Sequence, residues 1–310
     1  MIVTLAGGVG AARFLDGLTR VIPPEEVYVI GNTADDTEIY GLNISPDLDT
    51  VVYTLAGLAN PVQGWGIDGD TFESLDVLGK LGEEVWFQLG DRDLATHIFR
   101  SSRLRAGAKL SAVTAQIAKQ LGVRSPIVPM SNDRVRTIVK TTQGRLEFQT
   151  YFVRRRAKDK VVGVTFEGAD ESRPAPGVLQ AIRDAAGIIF CPSNPIISVG
   201  PILAVPGIRR AIERRKCASA AISPIVGGRA IKGPAAQMMK TMGMDVSALG
   251  VAKIYKGLVD VLVIDKKDAH LVPAIEKLGM KTVVTNTIMS GTAEKKALAR
   301  SALKAIQKFR

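Results

Sequence analysis

The chain has 310 residues, 46% of them hydrophobic and 23% charged, a balance that supports a substantial buried core and excludes a disordered chain. No apolar run approaches the roughly 20 residues that span a bilayer, and residues 1–5 run into glycines without a basic leader or cleavage site, so a cytoplasmic protein with no signal peptide is expected. Two histidines, His97 and His270, rule out a His-rich zinc site, Cys191 and Cys217 lack metal-type spacing, and a formal net charge of +11 points to anionic ligands. Aromatic residues are only 5% and interleave no basic stretch, which favours phosphorylated small molecules over nucleic acid.

Residues 1–5 read as a buried strand that ends at Ala6-Gly7-Gly8-Val9-Gly10. Phe14, Leu15 and Leu18 then share one helical face, which predicts strand, glycine turn, helix. Such a turn lets the backbone approach a phosphate, and the helix start offers unpaired N–H groups. The segment GGVGAAR is neither GxGxxG nor a P-loop, so alone it marks an anion site or a structural turn. Arg13 either strengthens that site or is solvated. Residues 27–30 predict a second strand, completing a βαβ unit and hence a parallel sheet with ligands at the strands' C-terminal ends.

That strand leads into residues 32–50, NTADDTEIYGLNISPDLDT, which carry Asp35, Asp36, Glu38, Asp47 and Asp49 and no basic residue. Loop carboxylates are hard ligands of the kind Mg²⁺ takes together with substrate phosphates. Singly, each Asp is equally suited to capping a helix or closing a turn. The character then turns helical, so residues 46–122 are expected to form a helical insertion in a domain made of residues 1–45 and 123–310. Within it, Gly90-Asp91-Arg92-Asp93 reads as a salt-bridge turn or a helix cap.

Short strands are predicted at 124–130 and 136–140, and the alternation of residues 145–153 suggests an edge strand. The basic run 154–160 is either a solvated loop or a rim that attracts phosphate or carboxylate. Strands at 187–191, 218–222, 260–265 and 281–285 follow, and Lys232-Gly233-Pro234-Ala235 opens a helix with proline where its missing N–H costs least. Residues 293–310 predict a closing amphipathic helix. Pattern alone therefore gives an α/β protein, a parallel sheet with an inserted mainly helical domain, that binds a phosphorylated ligand with Mg²⁺.

Eight motifs occur in order along the chain: GGVG at 7–10, NTADD at 32–36, PDLDT at 46–50, WGIDGDTF at 65–72, LGDRDLATH at 89–97, PSNPIISVGPI at 192–202, SPIVGG at 223–228 and KGPAA at 232–236. Together they resemble the 2-phospho-L-lactate transferases of coenzyme F420 biosynthesis, with GDRDLATH and PDLDT the most diagnostic. The resemblance implies a Rossmann-like fold, commonly a homodimer, and a Mg²⁺-dependent transfer. The group moved would be 2-phospholactyl or a related phospho-C3-acid, carried by a GDP-linked donor, lactyl-2-diphospho-5′-guanosine. The acceptor would be the ribityl hydroxyl of 7,8-didemethyl-8-hydroxy-5-deazariboflavin (FO), and the products F420-0 and GMP.

It also implies roles for individual residues. Asp49 would contact FO and orient its hydroxyl or take its proton, and Gln88 would make a second FO contact where the family carries a basic residue. Arg92 would supply charge on the phosphates, while His97 would either assist there or serve as a structural histidine. Gly7, Gly8 and Gly10 would cradle the diphosphate, and Asn32 and Thr33 would hold phosphate or ribose. Ser193, Asn194 and Gly233 would complete the nucleotide site, with Asp36 and Asp47 as Mg²⁺ ligands. No membrane or nucleic-acid partner is expected. The alternative is a related Rossmann-like group that binds nucleotide-sugars and regulates without known chemistry; its members would share the glycine turn but not GDRDLATH or PDLDT. No motif distinguishes lactate, enolpyruvate and glycerate on the donor.

Overall fold

The computed structural model describes residues 1–309. Strand β1 (Ile2–Ala6) turns at Gly7 into helix α1 (Gly8–Thr19), and β2 (Val27–Gly31) returns beside β1 in parallel, from Ile2↔Val27 to Ala6↔Gly31. A hairpin follows, β3 (Thr37–Ile39) and β4 (Leu42–Ile44), then four helices: α2 (Pro46–Leu55), α3 (Glu73–Lys80), α4 (Asp91–Arg105) and α5 (Leu110–Gln120). Strand β5 (Ile127–Pro129) pairs with β2, and β6 (Arg136–Thr141), β7 (Gly144–Glu147) and β8 (Val161–Glu167) form a separate antiparallel sheet.

The second half alternates strands and helices: α6 (Val178–Asp184), β9 (Gly187–Phe190), α7 (Val199–Ala204), α8 (Ile208–Glu213) and β10 (Ser219–Ile222). The small hairpin β11 (Ile225–Val226) and β12 (Arg229–Ala230) precedes α9 (Ala235–Thr241) and α10 (Ala248–Ile254). Strand β13 (Val261–Asp265), α11 (Val272–Glu276), β14 (Lys281–Thr285) and α12 (Thr292–Lys308) complete the chain.

Seven parallel strands form the main sheet in the order β14-β13-β10-β9-β1-β2-β5. Parallel strands need both faces covered, and the pleat delivers that here. Val3, Leu5, Ile188 and Phe190 enter one buried cluster with α6, α7 and α8, while Val27, Val29, Ile189 and Val263 enter the other with α1 and α12. Chain order reverses between β1 and β9, one running out through β2 and β5 and the other through β10. That reversal opens a crevice at the strands' C-terminal ends, the usual ligand position in open α/β sheets.

Residues 46–122 do not pack as a body apart. Val51 and Val52 of α2 and Val113 and Ile117 of α5 join Phe14 and Leu15 of α1 in one cluster over the sheet, whereas α3 buries only Leu75. The edge strand expected over 145–153 stops at Glu147. Phe148 and Phe152 stack face to face at 5.3 Å, a four-residue spacing that needs helical backbone, and residues Thr150–Arg154 form a wide turn closed by Arg155 N–H donating to Thr150 C=O at 2.9 Å. Among the described residues, no helix is long and apolar enough to cross a membrane.

Candidate active site

A cavity of about 750 Å³ opens at the crevice and is lined by Gly7, Gly8, Gly10, Ser193, Asn194 and Gly233, together with Asp49 and Gln88. That volume suits a small-molecule ligand. Gly8 sits at φ +69°, in the left-handed region that favours glycine. The neighbouring glycines are needed for packing: a Cβ on Gly10 would lie 2.2 Å from the Pro192 carbonyl oxygen, and one on Gly7 would lie 2.5 Å from Ser198 Cβ. The loop after β9 is thereby pressed against the turn after β1, and Gly7 N–H donates to Ser193 Oγ at 3.2 Å. Asn194 closes its own loop by accepting from Ile196 N–H at 2.9 Å.

The acidic stretch folds beside this turn. Asn32 is fully buried and does not line the cavity; its Nδ2 donates to Asp35 Oδ2 at 3.1 Å and Asp47 Oδ2 at 2.9 Å. It brackets two carboxylates. Thr33, also buried, does not line the cavity either. Of the two Mg²⁺ ligands read from sequence, Asp47 lines the cavity and Asp36 does not: Asp36 turns toward the hairpin and accepts from Ser45 Oγ at 2.7 Å. Its neighbour Asp35 takes the cavity position.

These carboxylates hold protons more tightly than usual. Burial pushes Asp47 up to about 6 against opposing hydrogen bonds from Asn32 and Gly8 N–H. Burial and the nearby charge of Asp47 raise Asp35 well above the ordinary range, and burial does the same for Asp36. Asp36 Oδ1 is buried without a hydrogen-bond partner, and Asp35 Oδ1 has the Thr137 hydroxyl nearby without a well-formed bond to it. Asp35 and Asp47, bridged by one amide and facing the cavity, would fit a divalent cation. Among the described residues, no group of three or more His, Cys, Asp or Glu is arranged to enclose a metal by itself, so ligand oxygens would have to complete the shell.

Asp49 is held differently. It lies in the first turn of α2 and lines the cavity at 5% exposure. Arg100 of α4, itself 1% exposed, grips it with both nitrogens: Nη1 donates to Oδ2 at 3.0 Å and Nη2 to Oδ1. Nη1 also sits 3.2 Å from His97 Nδ1. A guanidinium has only donors, so Nδ1 accepts and the ring proton is on Nε2, 3.1 Å from Asp93 Oδ1. The same oxygen accepts from Tyr53 O–H at 2.7 Å. Burial works against the charged Arg100, but Asp49 and Asp36 hold its guanidinium more firmly protonated than usual. Burial likewise opposes the Asp93 carboxylate, yet His97 and Tyr53 bring it below its ordinary range.

The sequence reading missed Arg100. Its signal was a polar stripe on α4, since Asp93, His97, Arg100 and Ser101 are that helix's buried residues, and an amphipathic reading assigns such a stripe to solvent.

Arg92, read from sequence as a phosphate-facing cation, does not line the cavity: it is exposed and donates to the Asp68 carbonyl at 2.9 Å. The DRD motif instead builds reciprocal caps. Asp70 accepts from the N–H groups of Arg92 at 2.8 Å and Asp93 at 3.0 Å, capping α4. Asp91 accepts from Glu73 and Ser74 N–H, both at 2.9 Å, capping α3. Hydrogen bonds from Thr71 and Ser74 hold the Asp91 carboxyl well below its usual range.

The cavity's cations are Arg13, Arg156 and Lys232. Burial and the nearby Arg13 lower the Lys232 ammonium below its ordinary value. In the basic run, Arg154 pairs with Glu84 and Arg155 with Asp159, leaving Arg156 to face the cavity. Trp86, Phe87, Phe148 and Phe152 supply an aromatic lining.

Residues 2–305 match the family described as 2-phospho-L-lactate transferase CofD. A 2-phospho-L-lactate transferase of Methanosarcina acetivorans is 40% identical over 297 residues, spanning 96% of each chain. A phosphoenolpyruvate transferase of Streptomyces griseus is 44% identical over 317 residues, spanning 100% of this chain and 99% of that one. Among solved structures, a UPF0052-family protein of Bacillus halodurans shares the fold, with a TM-score of 0.63 over 97% of this chain and 98% of that one at 18% identity. A match over nearly the whole length, with relatives at this identity, places the chain in the 2-phospho-L-lactate transferase CofD family.

Proposed function

We propose that this transferase moves a phospho-C3-acid group from a GDP-linked donor to the terminal ribityl hydroxyl of FO, with Mg²⁺, releasing GMP. The observation that carries the reading is the charge arrangement around the glycine turn. Asp47 Oδ2 lies 2.8 Å from where a Gly7 Cβ would stand. Lys232 lines the same cavity, with Nζ donating to the Gln63 carbonyl at 3.0 Å beside Gly64, which packs on Val9 of the turn. Carboxylates and cations flanking one anion-binding turn suit a diphosphate that carries its own metal ion.

The acceptor oxygen attacks the phosphorus that bears the acid. The bond from that phosphorus to the bridging oxygen breaks, its electron pair leaves with GMP, the hydroxyl proton passes to solvent, and the new P–O bond gives a phosphodiester. Such transfers depend on positioning and charge stabilisation. Arg13 and Lys232 offset the charge gathering on the departing GMP. Asp49 accepts a hydrogen bond from the hydroxyl and aims its oxygen. Asp35 and Asp47 would hold Mg²⁺, which when bound neutralises diphosphate charge. The aromatic lining offers faces for a tricyclic ring, and Gln88 offers an amide hydrogen bond in place of a cation.

Titrating the protein with FO, followed by its own fluorescence, with and without GDP and Mg²⁺, tests the acceptor site. Saturable binding that Asp49→Ala weakens tenfold or more, the loss of a charge-assisted hydrogen bond, is the expected result. No FO binding, with a nucleotide-sugar bound instead, would favour the regulatory alternative.

A further inference from the structure

We infer that Arg100 is the positioning residue of the acceptor site: it never meets the substrate, but it fixes the plane and charge of Asp49 toward the acceptor hydroxyl. The inference deepens the proposed function and rests on it.

A fully buried arginine is an expensive choice for a helix face. An apolar side chain of similar volume would pack there at lower cost unless the charge serves a purpose. Arg100 is 1% exposed and does not line the cavity. Its hydrogen-bond acceptors come from three elements: Asp49 of α2, His97 of its own helix α4, and the Asn43 carbonyl of β4 at 3.3 Å. A planar fork held from three sides cannot rotate, and a bidentate partner inherits that orientation. The partner is the cavity-lining carboxylate of Asp49.

His97 reinforces the hold. Nδ1 accepts from Arg100, Nε2 lies 3.1 Å from Asp93 Oδ1 without a well-formed hydrogen bond, and Asp93 is anchored by Tyr53 and by the Asp70 cap behind it. The chain Tyr53–Asp93–His97–Arg100–Asp49 therefore ties α2 to α4 through polar contacts. His97 cannot take the acceptor's proton at Nδ1 while Arg100 occupies it.

The pairing also sorts the site's carboxylates by task. Asp35 and Asp47 have no cationic side chain among their hydrogen-bond partners, which suits them to a metal ion. Asp49 is already matched by one fixed positive charge, so it offers a directed acceptor and little further pull on a cation. A buried ion pair gives direction without net charge.

The test compares Arg100→Lys, Arg100→Gln and the double variant Asp49→Asn/Arg100→Gln with the unaltered protein. The readouts are Kd for FO by fluorescence, Kd for GDP by calorimetry, KM for each substrate, and Tm. Lysine keeps the charge but loses the fork. Arg100→Lys is expected to retain most of the Tm that Arg100→Gln loses, yet to raise Kd and KM for FO about tenfold or more, with Kd for GDP within about twofold. The double variant removes both charges and is expected to recover Tm without recovering FO affinity. Equal weakening of FO and GDP, or unchanged FO affinity in folded Arg100→Lys, would overturn the inference while leaving the proposed function standing. Absence of FO binding in the unaltered protein would overturn both.

Discussion

Asp35, buried, and Asp47, half-buried, lie under one amide, Asn32, and the charge of Asp47 raises the cost of charging Asp35. The consequence for pH is definite in sign. The Asp47 carboxyl titrates at about 6 when folded, against 3.8 for the ordinary group, so between those values the folded state holds the extra proton. Its contribution to stability is complete below the unfolded value and is lost as pH rises through about 6. Without divalent cations, Tm should fall as pH is raised from 5 to 8, and Mg²⁺ should raise Tm more at pH 8 than at pH 5. Asp47→Asn should raise Tm at pH 8 in the absence of metal and abolish the Mg²⁺ response. A metal-free Tm that climbs over this range would contradict the assignment.

At the same scale, Gly10→Ala puts a methyl 2.2 Å from the Pro192 carbonyl. Backbone on both sides cannot yield cheaply, and a destabilisation of about 1–3 kcal/mol is expected in denaturant unfolding. Single residues were also where sequence carried least. Asp35 and Asp36 are adjacent in the chain, and only the path of the chain after β2 decides which one faces the cavity. Lys232 lines the same cavity as the glycine turn from more than 200 residues away in sequence, a proximity that no local spacing encodes.

Among elements, the reciprocal caps join α3 and α4 through Asp70 and Asp91, so the DTF and DRD motifs are one structural unit. Asp70→Ala should cost about 0.5–2 kcal/mol by leaving two α4 N–H groups without their acceptor. Arg92→Gln, by contrast, should leave kcat and KM within about twofold, since losing an exposed bond to a carbonyl is worth little; a larger drop in kcat would return Arg92 to the site. The caps were legible as one of two readings of Asp91, but which helix each Asp caps was not, because the partners lie some 20 residues apart. Residues 145–153 show the opposite failure. Their alternation mimics a strand, while Phe148 and Phe152 obey a helical spacing and the packing of those two rings prevails.

For the whole molecule, the parallel sheet was legible because each buried strand is an uninterrupted apolar run between glycine or small polar turns. Strand order was not, since local pattern says nothing about which runs pair. It is the order that puts β1 beside β9, and so brings residues 7–10 against the loop at 192–198. The packing of α2 and α5 into the sheet's own core also places Asp49 on a helix packed against α1. Relatives named for phospholactate and for phosphoenolpyruvate match this chain at 40% and 44% identity, so both acids belong in one assay.

That assay is the most direct test. The protein is incubated with FO, Mg²⁺ and, in parallel, the GDP-linked phospholactate and phosphoenolpyruvate donors, and the products are separated by chromatography. Formation of GMP and a fluorescent phosphodiester in equal amounts with at least one donor, lost on chelation and in Asp49→Ala, is the predicted result. GMP release that does not depend on FO, or no phosphodiester from either donor in a protein that binds both substrates, would contradict it.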